Sequence, residues 1–228
     1  MRHQLWGVLV AGVGILGAAG LSSHAVEAAQ LAESTSAKAP ADTSDTSIVV
    51  RTYTQPASAA DIQTARRTAG AILERAGIHV VWLECALPGE VTPANACMKS
   101  PQANELIVRI LSARALDHPL DDDTLGFAII DLKSGTGSLA TVYADRVSLM
   151  AQEAGVDDAE LLGKAIAHEV GHLLLGTNRH TGRGLMRASW SSADLRQSHP
   201  ALWLFRGKES DAMRNRIARR SSVGAMTE

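Results

Sequence analysis

A short tract in the last third of the chain combines side chains that can hold a metal ion and move a proton. His168, Glu169 and His172 have the spacing H-E-x-x-H within AHEVGHLLLG. Residues four apart lie on one face of an α-helix, one turn from each other, so both imidazoles can reach one metal ion. Zinc binds imidazole nitrogen, a catalytic zinc keeps a position for water, and Glu169 is placed to take that water's proton. The tract predicts a zinc-dependent hydrolytic site; the alternative is a pair of partly buried histidines on an ordinary helix.

The composition is that of one globular domain. The chain has 228 residues, of which 46% are hydrophobic and 20% are charged, so it can form a sizeable core. The formal net charge of -2 gives no reason to expect nucleic acid or an anionic membrane as a partner. Basic residues gather between Arg196 and Arg220, with a spacing that favours the solvated face of a last helix over a binding patch.

The start of the chain reads as a targeting segment. Arg2 provides a positive start, residues 5–21 form an apolar core rich in glycine and alanine, and small residues suited to cleavage follow. An uncleaved anchor is the alternative, but the apolar run is short and glycine-rich for a stable span. We predict a signal peptide over residues 1–28, a secreted or periplasmic location, and no stable membrane insertion after cleavage. Residues 29–47, rich in Ala, Ser, Thr and Asp, are predicted to be a flexible linker.

The two cysteines, Cys85 and Cys97, are predicted to form a disulfide. They flank a loop that contains proline and glycine, and an even pair this close in sequence favours a disulfide in an oxidising compartment. Closing so short a loop contributes about 3 kcal/mol in the chain-entropy model. Zinc ligation by the two thiolates is the competing interpretation, but a second C-x-x-C pair is lacking.

Five strand-like segments precede the metal tract. They are residues 48–54, 78–83, 106–111, 127–131 and 139–143. A helix capped by Ser58 and closed by Gly77 separates the first two strands, and the second strand is apolar enough to be buried on both faces. Asp157 or Asp158 begins the long helix that carries the tract, since acidic residues suit a helix N-terminus.

The order of these elements indicates the fold class. The glycine-containing turn over residues 133–137 makes the last two strands antiparallel. We predict an α+β domain over residues 48–228, with a mixed, mostly parallel five-stranded sheet and an antiparallel edge strand. Helices, including the one with the metal tract, back this sheet.

The residues after the tract give a resemblance to a known family. Gly176, His180 and Met186 follow H-E-x-x-H, and this order resembles metzincin-type zinc metallopeptidases, archaemetzincin-like or matrixin-like bacterial relatives in particular. In that clan H-E-x-x-H-x-x-G-x-x-H precedes a methionine-containing turn beneath the metal. The order of elements over residues 48–190 is also similar. The resemblance implies a zincin-like fold and one catalytic Zn²⁺, with His168, His172 and His180 as ligands, Glu169 as general base and Met186 as the Met-turn residue.

The spacing departs from that family's pattern by two residues. Three residues instead of two separate His172 from Gly176, and three more separate Gly176 from His180. Because the chain beyond Gly176 need not be helical, it can still return an imidazole to the metal, and His180 stays the predicted third ligand. The acidic substitutes are Asp194 and Glu209, since zinc also accepts carboxylate oxygen.

Together these features predict an exported zinc endopeptidase. Glu169 would take the proton of a zinc-bound water, which attacks a carbonyl of a peptide or protein substrate. The resemblance places the substrate along an edge strand at Leu139–Tyr143, with side-chain selection beside Leu185, Met186 and Arg187. Two alternatives remain: a secreted module with a structural, non-catalytic zinc, and a metal-free exported domain. Glu169 argues against both, because neither needs a base.

Overall fold

The computed structural model describes residues 46–55, 61–86, 95–115, 124–197 and 199–224. The predicted signal peptide and most of the predicted linker lie outside these residues. The division of the chain at residues 28 and 47 therefore stays a prediction. Within the described residues, none of the helices has the length and apolar character needed to cross a membrane.

A five-stranded sheet forms the centre of the fold. Its strands are β1 (Ser47–Thr54), β2 (His79–Cys85), β3 (Glu105–Leu111), β4 (Gly126–Asp131) and β5 (Thr136–Tyr143). They lie in the order β2-β1-β3-β5-β4. β4 is antiparallel to β5, and the other neighbouring strands are parallel. The predicted fold class, a mixed and mostly parallel sheet with an antiparallel edge strand, is confirmed.

Two expectations about individual strands are wrong. Leu139–Tyr143 does not lie at an edge, because β5 pairs with β3 on one side and with β4 on the other. The tight turn folds β4 back onto β5, and β4 becomes the edge strand on this side. β2 is the opposite edge of the sheet, and His79, Val81 and Glu84 are exposed on it. It is therefore not buried on both faces.

Helices pack on one face of the sheet. They are α1 (Ile62–Arg75), α2 (Ala144–Ala154), α3 (Asp158–Leu175), α4 (Ser192–Leu195) and α5 (Gly207–Gly224). The core joins their apolar side chains to inward residues of β1, β3 and β5, such as Val50, Val108 and Val142. Asp61 caps α1, where Ser58 was predicted: its carboxylate accepts hydrogen bonds from the next turn of backbone N–H groups at 3.0 and 3.2 Å.

The predicted disulfide is confirmed. Cys85, the last residue of β2, is bonded to Cys97 in a short 3₁₀ turn at Asn95–Met98. Buried Arg51 adds a second tie, because it forms an ion pair with Glu105 and donates to the carbonyl of Lys99 at 2.6 Å. These contacts fasten the segment before β3, and the first residue of β3, to β2 and β1.

The basic run near the C-terminus is more than the solvated face that was predicted. Arg220 of α5 donates to the carbonyls of Gly137 at 2.9 Å and Leu173 at 3.0 Å. Arg216 donates to the carbonyl of Gly135. Guanidinium groups satisfy carbonyls that turns and helix ends leave without backbone partners. α5 therefore braces the β4–β5 turn and the end of the helix that carries the metal tract.

Candidate metal centre

Helix α3 carries the H-E-x-x-H tract through the core. Asp157 caps its N-terminus by accepting a hydrogen bond from the N–H of Glu160 at 2.7 Å, as predicted for one of the two aspartates. His168, Glu169 and His172 are 7%, 6% and 4% exposed. Almost every residue from Ala159 to the end of the helix is buried, so packing on all sides fixes the direction of these side chains.

The structure brings three histidines together. The Nε2 atom of His172 lies 3.1 Å from that of His168 and 3.2 Å from that of His180. Gly176 ends α3 in the left-handed conformation, with φ of 59°, which a residue with a side chain rarely adopts. The chain then turns back and returns the imidazole of His180 to the helix. One of the two extra residues lengthens the helix before Gly176, and the other lies in this turn.

Backbone carbonyls orient the two helical imidazoles. Nδ1 of His168 lies 2.9 Å from the carbonyl oxygen of Leu185, and Nδ1 of His172 lies 2.8 Å from that of Thr177. Because a carbonyl oxygen only accepts hydrogen bonds, each Nδ1 carries the ring proton and donates a hydrogen bond. In the neutral imidazole, each Nε2 is then left with a free lone pair. Such outer hydrogen bonds are what metal-binding histidines make.

This donor set fits zinc. Two neighbouring Nε2 lone pairs about 3 Å apart repel each other unless a cation lies between them. Ligands held about 2.0–2.1 Å from zinc in a tetrahedral arrangement lie about 3.3 Å apart, close to the 3.1 and 3.2 Å observed. Among the described histidines, cysteines, aspartates and glutamates, His168, His172 and His180 form the group whose ligand atoms converge, all within 4.8 Å of one another.

Burial sets the protonation of the site. It lowers the pKa of His168 to about 3 and lowers the pKa of His172 and His180 as well, so the imidazoles are neutral and free to bind metal. Burial raises the pKa of Glu169 to about 8. Its Oε2 atom is buried and makes no hydrogen bond among the described residues. A buried carboxylate oxygen without a partner is available to a ligand at this point.

An open cleft lies beside the site. A cavity of about 780 Å³ runs between residues 124–126, at the start of β4, and residues 187–191, with His168, Glu169 and His180 in its wall. Gly126 allows β4 to approach Glu169, because a Cβ atom there would lie 3.1 Å from Cγ and Oε1 of Glu169. Sequence reasoning missed this glycine, and its only signal was its position before an apolar strand.

Met186 lies beneath the tract. It is fully buried in the core, and its Sδ atom lies 2.7 Å from where a Cβ atom would be on Gly171 of α3. The glycine inside the tract thus leaves room for the methionine. The Met-turn role that the resemblance implies for Met186 stays a prediction.

The two acidic substitutes for His180 make other contacts. Asp194 accepts hydrogen bonds from the N–H and hydroxyl of Ser191 and forms an ion pair with Arg187 at 3.0 Å. Glu209 accepts from the N–H of Arg206 at 2.7 Å. Neither carboxylate belongs to the converging group of described side chains.

The carbonyls of Leu185 and Thr177 could not have been found from the sequence, since any residue supplies a carbonyl.

Comparisons with known proteins add little to this geometry. No protein-family model matches the sequence, and no curated protein matches it. Among solved structures, the chain is similar to archaemetzincin from Methanopyrus kandleri, with 14% identity, a TM-score of 0.49, and coverage of 78% of this chain and 98% of that one. It is also similar to a zinc-dependent peptidase from Methanocorpusculum labreanum, with 18% identity, a TM-score of 0.47, and coverage of 72% and 99%. A likeness of this extent does not define a function, so the function proposed below rests on the site.

Proposed function

We propose that the chain is a zinc-dependent endopeptidase. The observation that carries the proposal is the convergence of His168, His172 and His180 beside the cleft into which Glu169, with its buried and unpartnered Oε2 atom, also faces. A structural zinc site is closed by four protein ligands, whereas a catalytic site has three and leaves a position open. The described side chains offer three.

The proposed chemistry divides between the metal and Glu169. Zinc, when bound, supplies a Lewis acid that polarises the scissile carbonyl and makes water more acidic. Glu169 acts as the base in its deprotonated form, which the positive charge of a zinc ion held beside it would favour by lowering its pKa. The carboxylate accepts the proton of the attacking water as the oxygen bonds to the carbonyl carbon. It then donates that proton to the leaving nitrogen as the C–N bond breaks.

The edge strand β4 is the proposed place for the substrate backbone. Its outer edge is free of other strands among the described residues, and its first residue, Gly126, lines the cleft beside Glu169. An extended peptide can add to such an edge through backbone hydrogen bonds. We propose endopeptidase cleavage because a segment paired with a strand needs no chain end. β4 takes the place that was predicted for Leu139–Tyr143.

Export is also part of the proposal. The Cys85–Cys97 disulfide suits an oxidising compartment, such as the periplasm or the exterior of the cell. The proposed signal peptide over residues 1–28 would direct the chain there. Mass spectrometry of the N-terminus of the mature protein tests this point, and an intact N-terminus in the exported protein would contradict cleavage.

The proposed activity is tested by metal analysis combined with peptide digestion. We expect the purified protein to contain one zinc per chain and to cleave members of a broad peptide library at internal bonds. A chelator should abolish cleavage, and added zinc should restore it. Zinc without cleavage of any peptide would favour the structural-zinc module. Cleavage only at chain ends would contradict an endopeptidase, and protein unable to bind zinc would contradict both.

The approach of β4 to Glu169 gives a separate prediction. A Cβ atom on Gly126 would lie 2.6 Å from the carbonyl oxygen of Thr141 and 3.1 Å from Oε1 of Glu169. Gly126→Ala should therefore displace either β4 or the carboxyl group of Glu169. We expect it to lower the free energy of unfolding by about 1–3 kcal/mol and to reduce peptide hydrolysis, while zinc stays bound. Denaturant unfolding, zinc content and hydrolysis rates check this result.

Gly182 offers a matched control for that substitution. No atom lies within 4 Å of a Cβ built there, and its φ is not positive. Gly182→Ala should change the free energy of unfolding by less than about 0.5 kcal/mol. Equal behaviour of the two alanine variants would show that Gly126 does not set the distance between β4 and Glu169.

A further inference from the structure

His180 differs from the other two histidines in how it is held. Its side chain is exposed, whereas those of His168 and His172 are buried. Carbonyl oxygens fix Nδ1 of His168 and of His172, but among the described residues His180 has no such hydrogen bond to Nδ1. The position of its imidazole therefore depends on the backbone that carries it.

The residue after His180 is tied down at several points. The N–H of Thr181 donates to the carbonyl of Met186 at 2.8 Å. Its hydroxyl oxygen lies 3.2 Å from Oε1 of Glu209 and 2.9 Å from the carbonyl oxygen of Arg183. Thr181 thus closes the loop that begins at His180, and it links that loop to a residue far away in sequence.

Glu209 is the distant partner and is well anchored. It lies in the first turn of α5, is 8% exposed, and accepts through Oε2 from the N–H of Arg206 at 2.7 Å. Its other oxygen reaches Thr181. Just before α5, the carbonyl of Leu204 accepts from the N–H of Leu185, whose own carbonyl orients His168. The start of α5 therefore touches the supports of two of the three proposed ligands.

We propose that Glu209 is a positioning residue for the metal centre, which holds Thr181 and thereby His180 in place. The inference rests on the proposed zinc site. The Thr181 hydroxyl has one proton to donate and three acceptors within reach, namely the carbonyls of Arg183 at 2.9 Å and Met186 at 3.4 Å and Oε1 of Glu209 at 3.2 Å. The Arg183 carbonyl is the nearest, but the carboxylate is the strongest acceptor of the three because it is charged. With the hydroxyl held by Glu209, the backbone of residues 180–181 is anchored to α5. Glu209 acts through Thr181 and is not itself a ligand.

A purely structural role is the competing explanation, because Glu209 also accepts from the backbone at the start of α5. Two pairs of variants separate the roles. Thr181→Val removes the hydroxyl and keeps the shape, while Thr181→Ser keeps the hydroxyl, and neither touches the helix cap. Glu209→Gln can still accept from Arg206 and donate to the Thr181 oxygen, while Glu209→Ala loses both contacts.

The test is zinc affinity, measured by competition with a chromophoric chelator on the full chain. We expect Thr181→Val and Glu209→Ala to weaken zinc binding by about 10–100-fold, as substitutions of residues that orient metal ligands do. Thr181→Ser and Glu209→Gln should stay within about threefold of the original protein. Absorption spectra of the cobalt-substituted protein should change in Thr181→Val and Glu209→Ala and stay unchanged in Thr181→Ser and Glu209→Gln.

A His180→Ala background shows whether the effect passes through the ligand. In that background Thr181→Val should cause no further loss of zinc affinity. An equal loss with and without His180, or zinc binding by Thr181→Val as tight as in the original protein, would overturn the inference. Thr181→Val preserves the cap of α5, so it tests the anchoring of His180 through the Thr181 hydroxyl even where Glu209→Ala fails to fold. Absence of zinc binding in the original protein would overturn it as well. Zinc bound with the expected pattern but no hydrolysis would contradict only the proposed function.

Discussion

Glu169→Gln is expected to leave zinc bound and to lower the rate of peptide hydrolysis by about 10²–10⁴-fold. Glutamine has nearly the same shape as glutamate, so the packing around residue 169 in α3 should be preserved. It has no carboxylate, however, and cannot take a proton from water or return one to the leaving nitrogen. kcat/KM for a cleaved peptide, measured together with zinc content, gives the result directly.

Glu160→Gln is the matched control for this substitution. Glu160 lies on the same helix, but its side chain is exposed and is not among the residues that line the cleft. The Glu160→Gln variant should hydrolyse peptides at the same rate as the original protein. Undiminished hydrolysis by Glu169→Gln would rule out Glu169 as the base. A loss of zinc in that variant would show instead that the carboxylate helps to hold the metal.

The pH dependence of stability gives a second readout on Glu169. Because burial raises its pKa from 4.5 to about 8, the metal-free folded protein holds a proton there that the unfolded chain has lost. This contribution to stability is fully present below about pH 4.5 and is lost as the pH rises through about 8. From about pH 6 to about pH 8 it should fall by roughly 2 kcal/mol, and Glu169→Gln should lack this part of the pH profile.

The architecture was predictable where local patterns decide it. Short runs of apolar and β-branched residues located the five strands, and the glycine-containing turn fixed the antiparallel pair. The pairing of Cys85 with Cys97 followed from their spacing. The turn could not show which of its two strands pairs with β3, because both have suitable apolar faces. In the structure β5 pairs with β3, so β4 is the edge strand beside the cleft.

The site was predictable to the extent that it lies on one helix. The spacing of His168, Glu169 and His172 places them on one face of α3 without any knowledge of the rest of the fold. The convergence of His180 depends on the turn after Gly176 and on contacts with α5, which are distant in sequence. Glu209 was an alternative ligand from the sequence, but the structure engages its carboxylate with Thr181 and Arg206.

His172→Ala is expected to abolish the stabilisation of the protein by zinc. The Nε2 atom of His172 lies between those of the other two histidines, at 3.1 and 3.2 Å, so its removal separates the remaining ligands. Zinc at about a thousandfold above its Kd stabilises a folded protein by about 4 kcal/mol. For a domain of this size that corresponds to a rise in Tm of about 10 °C, which thermal unfolding with and without zinc would show.

His79→Ala separates loss of this ligand from loss of any histidine. His79 is exposed on the edge strand β2, outside the converging group, and its variant should keep the full zinc-dependent rise in Tm. His180→Ala should keep part of the rise, since the two helical imidazoles remain fixed by the carbonyls of Leu185 and Thr177. Zinc that stabilised His172→Ala as strongly as the original protein would have to bind elsewhere. The loss of the zinc-dependent rise in Tm should therefore increase in the order His79→Ala, His180→Ala, His172→Ala. The reason is that helix α3 itself carries His168 and His172, whereas His180 lies beyond it and His79 lies outside the site.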